Sequence, residues 1–188
     1  ERKARETISF IEPFVSRNSS VLDIGCGVGA YISRLQKYIG CNVFGVEPDE
    51  ISARAAQEYY GLHRVYNMFF GEYLNIAKEK FDVIVLRHVF EHLKNPNQEI
   101  KRIKSLLKED GFLYLVVPNA YDFLESRPLK RVLEFGHIFS YTPYAISQIL
   151  LKHGLKVVKY AHDYIHHQQM IITRIENNID AIPFSALQ

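Results

Sequence analysis

Val21-Leu22-Asp23-Ile24-Gly25-Cys26-Gly27-Val28-Gly29-Ala30 is the stretch on which the reading of this chain turns. Residues 21–24 are an apolar run of core-strand length that Gly25 stops. From residue 30 to 39 the apolar side chains Tyr31, Leu35 and Ile39 recur at helical spacing until Gly40. A strand that turns into a helix through glycines is the setting a nucleotide-binding loop needs. Glycine accepts positive φ and lets backbone approach a ligand where a Cβ would collide. Glu47, about 20 residues beyond the loop, ends the next apolar run. If the two strands are parallel neighbours, its carboxylate lies beside the glycines and suits a pair of ribose hydroxyls.

Outward from the loop the chain alternates strands and helices. Residues 42–46 read as the second strand. Pro48-Asp49 opens a helix with Ile51, Ala55 and Tyr59 on one side, closed by Gly61, and a third strand is expected within residues 63–70. Residues 82–86 form a near-continuous apolar run, as in a parallel strand covered on both faces. Asn95-Pro96-Asn97-Gln98 starts a capped helix that buries Ile100, Ile103 and Leu107 and ends at Gly111. Residues 112–117 are a fifth strand stopped by Pro118. Thr142-Pro143 caps a helix with Ile146, Ile149 and Leu150 inward, and residues 155–161 and 169–175 are the last two strands. Before the loop, Ile8, Ile11 and Val15 have the spacing of an opening helix. The expected fold is α/β: a doubly wound, mostly parallel seven-stranded sheet with the last strand antiparallel, in a single domain over residues 1–176. Residues 119–139 lose periodicity and read as a lid over an acceptor, with Arg127, Lys130 and Arg131 at its core, and residues 177–188 read as a tail.

Composition narrows the function classes. Lys and Arg number 23 against 21 Asp and Glu, so no overall field draws the chain to nucleic acid. No apolar run reaches the roughly 20 residues of a membrane span, so no stable membrane insertion is expected. Glu1-Arg2-Lys3-Ala4-Arg5 leads into no signal-like stretch, and with no Met at its start the chain is expected to be a trimmed one. Cys26 and Cys41 are too few for a disulfide scaffold and lack zinc-site spacing, which fits a reducing cytoplasm.

Read literally, the loop also meets the dinucleotide fingerprint G-x-G-x-x-A, so a nicotinamide-dependent oxidoreductase is an alternative. Asp23 tilts the choice. A carboxylate near the end of a core strand needs a polar partner, and a ligand with an ammonium group, or water held for one, would supply it. With Val46-Glu47, Phe81-Asp82-Val83-Ile84, Val89-Phe90-Glu91-His92-Leu93, residues 106–113 and Pro118-Asn119, the sequence resembles the class I S-adenosylmethionine-dependent methyltransferases. The branch it is similar to includes quinone and sugar methyltransferases. That resemblance implies that Asp23, Gly25, Cys26, Gly27 and Gly29 meet the methionine part of S-adenosylmethionine. It implies that Glu47, with Pro48 beside it, holds the ribose, that Glu72 meets the adenine, and that Leu86 and Arg87 complete the set. At the adenine position Phe70-Gly71-Glu72-Tyr73 replaces the commoner Gly-Asp pair. A third alternative is a non-catalytic partner module that keeps this fold.

Methyl transfer from a sulfonium is an in-line displacement, and a hydroxyl acceptor must also lose a proton, for which histidine is the natural base. His92, in the Glu-His segment, is the first choice. His88 lies nearer the cofactor, and His137 follows the lid. Those three with Glu91 are conceivable metal ligands, but no close-spaced set is visible, so no metal is expected. His162, His166 and His167 read as surface residues, and the Lys101, Lys104, Lys108 row as a solvated face. The lid cations suit an anionic or sugar-containing small molecule.

Overall fold

Val83, Ile84, Val85 and Leu86 are all fully buried, and consecutive residues of a strand face opposite ways, so this run must be covered on both sides. A computed structural model, which describes residues 8–122 and 137–176, makes it β4 (Phe81–Arg87), the middle strand of a seven-stranded sheet. To one side lie β1 (Ser20–Ile24), β2 (Asn42–Val46) and the two-residue edge strand β3 (Val65–Tyr66). To the other lie β5 (Leu107–Pro118), β7 (Gln168–Ile175) and, at the edge, β6 (Leu155–Asp163). The first five strands are parallel, and β7 runs antiparallel to both β5 and β6, as the α/β reading expects.

Period-two alternation builds a core on each face. Leu22, Ile24, Ile84, Leu86, Leu113 and Leu115 pack with Ile100 and Ile103 of α4 (Pro96–Leu106) and Ile146 and Leu150 of α5 (Pro143–Lys152). Val21, Val83, Val85, Tyr114 and Val116 pack on the opposite side. There they meet Tyr31, Ile32 and Leu35 of α1 (Ala30–Ile39) and Ala53 and Ala56 of α2 (Glu50–Tyr60). Side-chain caps set the helix starts. Asp49 accepts from Ser52 N–H at 2.9 Å, Asn95 from Gln98 N–H at 3.1 Å and Thr142 from Ala145 N–H at 3.1 Å. A one-turn helix, α3 (Phe70–Tyr73), lies between β3 and β4.

Three local expectations are corrected. The buried face of α2 carries Ala53 and Ala56, while Ile51 and Tyr59 are each 81% exposed. A Cβ on Gly29 would stand 2.9 Å from Ala56 Cβ, so α2 lies against the glycine loop and only a small side chain fits between. Helix α4 ends at Leu106, five residues before Gly111, because Leu107 is buried by pairing with Phe81 and begins β5. Ile8 and Ile11 are buried, but from Ile8 onward the segment is a turn and a 3₁₀ helix (Glu12–Phe14). Most of the expected lid, including Arg127, Lys130 and Arg131, and the whole 177–188 tail lie outside the described residues. No helix among the described residues is long and apolar enough to cross a membrane.

Candidate active site

The carboxyl ends of β1, β2 and β4 converge on the glycine loop, the place where open α/β sheets bind ligands. Gly25, Gly27 and Gly29 all have positive φ, at 72°, 54° and 76°, but for different reasons. A Cβ on Gly25 would overlap the Val89 side chain, and one on Gly29 would lie 2.5 Å from Leu62 Cδ1. Beside Gly27 no atom of the described residues lies within 4 Å. Two of the glycines therefore serve packing, and Gly27 is the bare edge that a ligand can approach.

Glu47, buried at the end of β2, holds this edge in place. Its Oε2 accepts from Gly27 N–H at 2.8 Å and its Oε1 from Asp49 N–H at 2.9 Å. Each carboxylate oxygen keeps a further lone pair, so two more donors can be accepted. Asn67 Nδ2 donates to the carbonyls of Glu47 and Pro48, both at 3.0 Å, and fixes the turn. A cleft of about 390 Å3 opens here, walled by Gly25, Glu47, Pro48, Phe70, Val89 and His92.

Behind the loop Asp23 is 3% exposed, and its Oδ1 has no hydrogen-bond partner among the described residues. Burial raises its carboxyl from 3.8 to about 7; the Arg87 guanidinium opposes that rise and Glu47 adds to it. Arg87 lies over the Tyr31 ring, 4.3 Å from its centroid, and its Nε is likewise buried without a partner. Arg87 and His88 also line a larger cavity of about 1020 Å3 with Tyr114, Lys159 and Met170. His88 is the wall common to the two spaces. A buried carboxylate with one oxygen unpartnered among the described residues, a bare glycine edge and a two-oxygen acceptor fit the ammonium, the backbone approach and the ribose of the cofactor that the resemblance implies.

Not every residue in the expected set turns a side chain to this site. Cys26 Sγ packs against Gly45 in the core, and burial, followed by Asp23 and Glu47, pushes its thiol far above the usual range. Leu86 is fully buried in the core, so like Cys26 it offers a ligand only backbone. Pro48 is exposed on the cleft rim. Glu72 is absent from the cleft walls, and its Oε2 accepts from Phe69 N–H at 2.7 Å, capping α3. Phe69, Phe70 and Leu93, which sequence reasoning did not single out, line the cleft instead. The density of aromatics around β3 was the available signal.

The histidines cluster through an unusual backbone. His88 has φ 56°, rare for a side chain with a Cβ, while its N–H extends the β4–β5 ladder to Val116 O at 2.8 Å. The chain then turns into a 3₁₀ helix (Phe90–His92). Glu91 O accepts from Ile138 N–H at 3.0 Å and Phe139 N–H at 3.1 Å, which brings His137 against His92 with ring centroids 4.9 Å apart. His88 Nδ1 lies 3.6 Å from Glu91 Oε1. Burial lowers the His137 pKa; Glu91 opposes this, and His92 and His88 add to it. Elsewhere His162, expected at the surface, has a side chain only 17% exposed that bonds Asp122 and Asn119. Lys104 donates to His153 O at 2.7 Å and Lys108 pairs with Asp82 at 2.8 Å, so those two lysines of the row are structural.

Comparison with known proteins agrees with this geometry. A family model described as a methyltransferase domain matches residues 1–160. A ubiquinone biosynthesis O-methyltransferase of Glaesserella parasuis serovar 5 (strain SH0165) is 36% identical over 107 residues, which are 53% of this chain and 45% of that one. The chain thus spans about half the length of such curated relatives. Among solved structures, a putative sarcosine dimethylglycine methyltransferase from Galdieria sulphuraria superposes with TM-score 0.74 at 15% identity, over 95% of this chain and 87% of that one. A magnesium protoporphyrin IX methyltransferase from Synechocystis PCC 6803, solved with bound S-adenosylhomocysteine, has TM-score 0.68 at 18% identity, over 92% of this chain and 82% of that one. With the glycine loop, Asp23 and Glu47 arranged on a sheet of this order, the chain belongs to the methyltransferase-domain family of class I, S-adenosylmethionine-dependent fold.

Proposed function

We propose that the chain transfers a methyl group from S-adenosylmethionine to an oxygen of a small-molecule acceptor. One observation carries this reading: Gly25 and Glu47, which suit the cofactor, share the walls of a single cleft with His88 and His92, which suit proton removal. When bound, the cofactor supplies an electrophilic methyl on a sulfonium. The chain's part is to hold both reactants in line and exclude water. Asp23 takes the ammonium, the backbone of the 25–29 loop lies along the methionine part, and Glu47 accepts from the ribose. Phe70 gives the adenine an apolar wall. His88, at the boundary of the two cavities, stands between donor and acceptor, and His92 with His137 handles the acceptor's hydroxyl proton.

Arg87 and Lys159 in the larger cavity favour an anionic or sugar-containing acceptor, although Lys159 already donates to Phe10 O at 2.9 Å. That the named relative is an O-methyltransferase supports oxygen as the target. Buried, unpaired Cys26 and Cys41 accord with a cytoplasmic setting. Family membership weighs against the nicotinamide alternative. Calorimetric titration with S-adenosylmethionine, S-adenosylhomocysteine and NAD tests the reading, with binding of the first two and not the third expected. Binding of NAD alone would overturn it. Once an acceptor is found, His92→Ala and His137→Ala are expected to lower turnover far more than cofactor affinity. Full activity in both would remove the histidines from the reaction.

A further inference from the structure

At the edge of the sheet opposite the cofactor cleft, where β5 and β6 begin and β7 ends, a cavity of about 600 Å3 opens between α4 and the end of α5. Its wall is basic. Lys101 and Lys104 of α4 and Lys152 of α5 bring three ammonium groups to it, and His153 adds an imidazole. These groups come from two helices distant in sequence, so the cluster is more than one helix's solvated row. Lys108, the third lysine of that row, turns away to pair with Asp82.

Packing fixes the centre of the cluster. Lys104 is half-buried and donates to His153 O at 2.7 Å, and the glycine at 154 makes the room, since a Cβ there would stand 2.9 Å from Lys104 Nζ. An ammonium has three donors and this bond uses one, so two remain. His153 Nε2 lies 2.9 Å from Asn97 Oδ1, an oxygen that only accepts, so the ring proton sits on Nε2 and Nδ1 is left to take up another. Glu176, the one carboxylate among the lining residues, is already met by Lys156 at 3.1 Å and Arg174 at 3.5 Å. No carboxylate pairs with Lys101 or Lys152 among the described residues. Burial lowers the His153 pKa, and Lys101, Lys152 and Lys104 lower it further, so positive charge from all three lysines reaches the ring. The carbonyl end of α5 accounts for a cation in its last turn. Three ammonium groups with no carboxylate among them repel one another unless an anion lies between them.

We propose that Lys101, Lys104, Lys152 and His153 form a binding site for a phosphate group on a ligand that takes no part in the methyl transfer. The charge of the wall chooses the ligand. A phosphate dianion offers several acceptor oxygens and two negative charges to point-like ammonium donors, whereas a lone carboxylate would leave most of the positive charge unanswered. Asp23, Glu47 and His92 stand at the other edge of the sheet, so a ligand here does not reach the reacting atoms. The site is therefore independent of the reaction proposed above.

The test titrates the whole chain calorimetrically with inorganic phosphate at low salt and about pH 8, where phosphate is mainly the dianion, with acetate as the monoanion control. Proton NMR of the His153 ring is a second readout. One equivalent of phosphate is expected to bind at least about tenfold more tightly than acetate, and more weakly as salt rises. On saturation the His153 titration should move to higher pH, because a neighbouring dianion favours the charged imidazole. Lys101→Gln and Lys152→Gln change exposed side chains, and each should weaken phosphate binding by about fivefold, the worth of one charge contact near 4 Å in water. Lys37→Gln, the same charge change on α1, should leave it unaltered. Lys104→Gln also loses the bond to His153 O, so if it fails to fold the two exposed positions decide. Sedimentation with phosphatidylcholine vesicles, with and without phosphatidic acid, separates the sources of the phosphate. Binding to the phosphatidic acid vesicles that Lys101→Gln abolishes, without binding of free phosphate, assigns the site to a lipid headgroup, and free phosphate bound without vesicles assigns it to a soluble ligand. The proposal is overturned if neither binds, if acetate binds as well as phosphate, or if Lys37→Gln weakens binding as much as Lys101→Gln.

Discussion

Alanine at Gly27 and alanine at Gly29 should fail in different ways, although both residues sit in one loop at similar φ. Each substitution forces an L-residue into left-handed backbone, at a cost of about 1–2 kcal/mol. At Gly27 the added methyl meets nothing within 4 Å among the described residues, so backbone strain is the cost to the fold. At Gly29 it meets Leu62 Cδ1 at 2.5 Å and Ala56 Cβ at 2.9 Å, both buried where α1 and α2 pack, and neither can move freely. Overpacking of that kind adds about 1–3 kcal/mol, for a total of about 2–5 kcal/mol. For a domain of this size each kcal/mol lowers Tm by about 2–4 °C. Urea and thermal unfolding of both variants, paired with S-adenosylhomocysteine titration, would read the difference. Gly27→Ala is expected to lose no more than about 1–2 kcal/mol yet bind the ligand at least about tenfold more weakly, because the proposed reading lays the ligand along the open side of Gly27. Gly29→Ala is expected to lose stability first. The reasoning is refuted if Gly29→Ala is no less stable than Gly27→Ala, or if Gly27→Ala binds like the wild type.

Other positions give equally direct checks. Asp23 titrates at about 7 in the fold against an ordinary 3.8, so between those values the folded chain keeps a proton that the unfolded chain has lost. Stability of the unliganded chain must therefore fall as pH rises from about 4 to about 7 and then level off, by roughly 4 kcal/mol at most. Asp23→Asn should flatten that dependence and make the chain more stable than wild type at pH 8 while weakening S-adenosylmethionine binding; parallel urea midpoints for the two proteins across this range would contradict the argument. Glu47→Ala leaves the N–H groups of Gly27 and Asp49 without their acceptor, so a loss of about 1–3 kcal/mol in urea unfolding is expected together with weaker ligand binding. Glu72→Ala removes only a helix cap, whereas Phe70→Ala removes a cleft wall. Calorimetry should find S-adenosylhomocysteine affinity unchanged in the first and reduced in the second.

Much of the architecture was legible because it depends on neighbours in sequence. A short apolar run bounded by turn residues marks a buried strand wherever the strand lies, so β1, β2 and β4 could be read within a residue of their observed bounds. The glycine loop was legible for a similar reason, since positive φ favours glycine over residues with a Cβ whatever surrounds it. Boundaries and faces set by tertiary contact were read less well. α2 presents alanines inward because the loop lies against it, and α4 stops early because Leu107 has a strand partner.

Sequence alone determined the sheet's alternation, the glycine turn and the acidic residue at the end of β2, since backbone sterics and side-chain period act over a few residues. Tertiary structure decided what those groups do. It left Asp23 buried with an oxygen that has no partner among the described residues, turned Cys26 into the core and Glu72 into a cap, and carried His137 across the intervening chain to stand with Glu91 and His92. Burial and convergence are properties of segments distant in sequence, and a carboxylate or an imidazole takes its chemistry from what stands within a few ångströms of it.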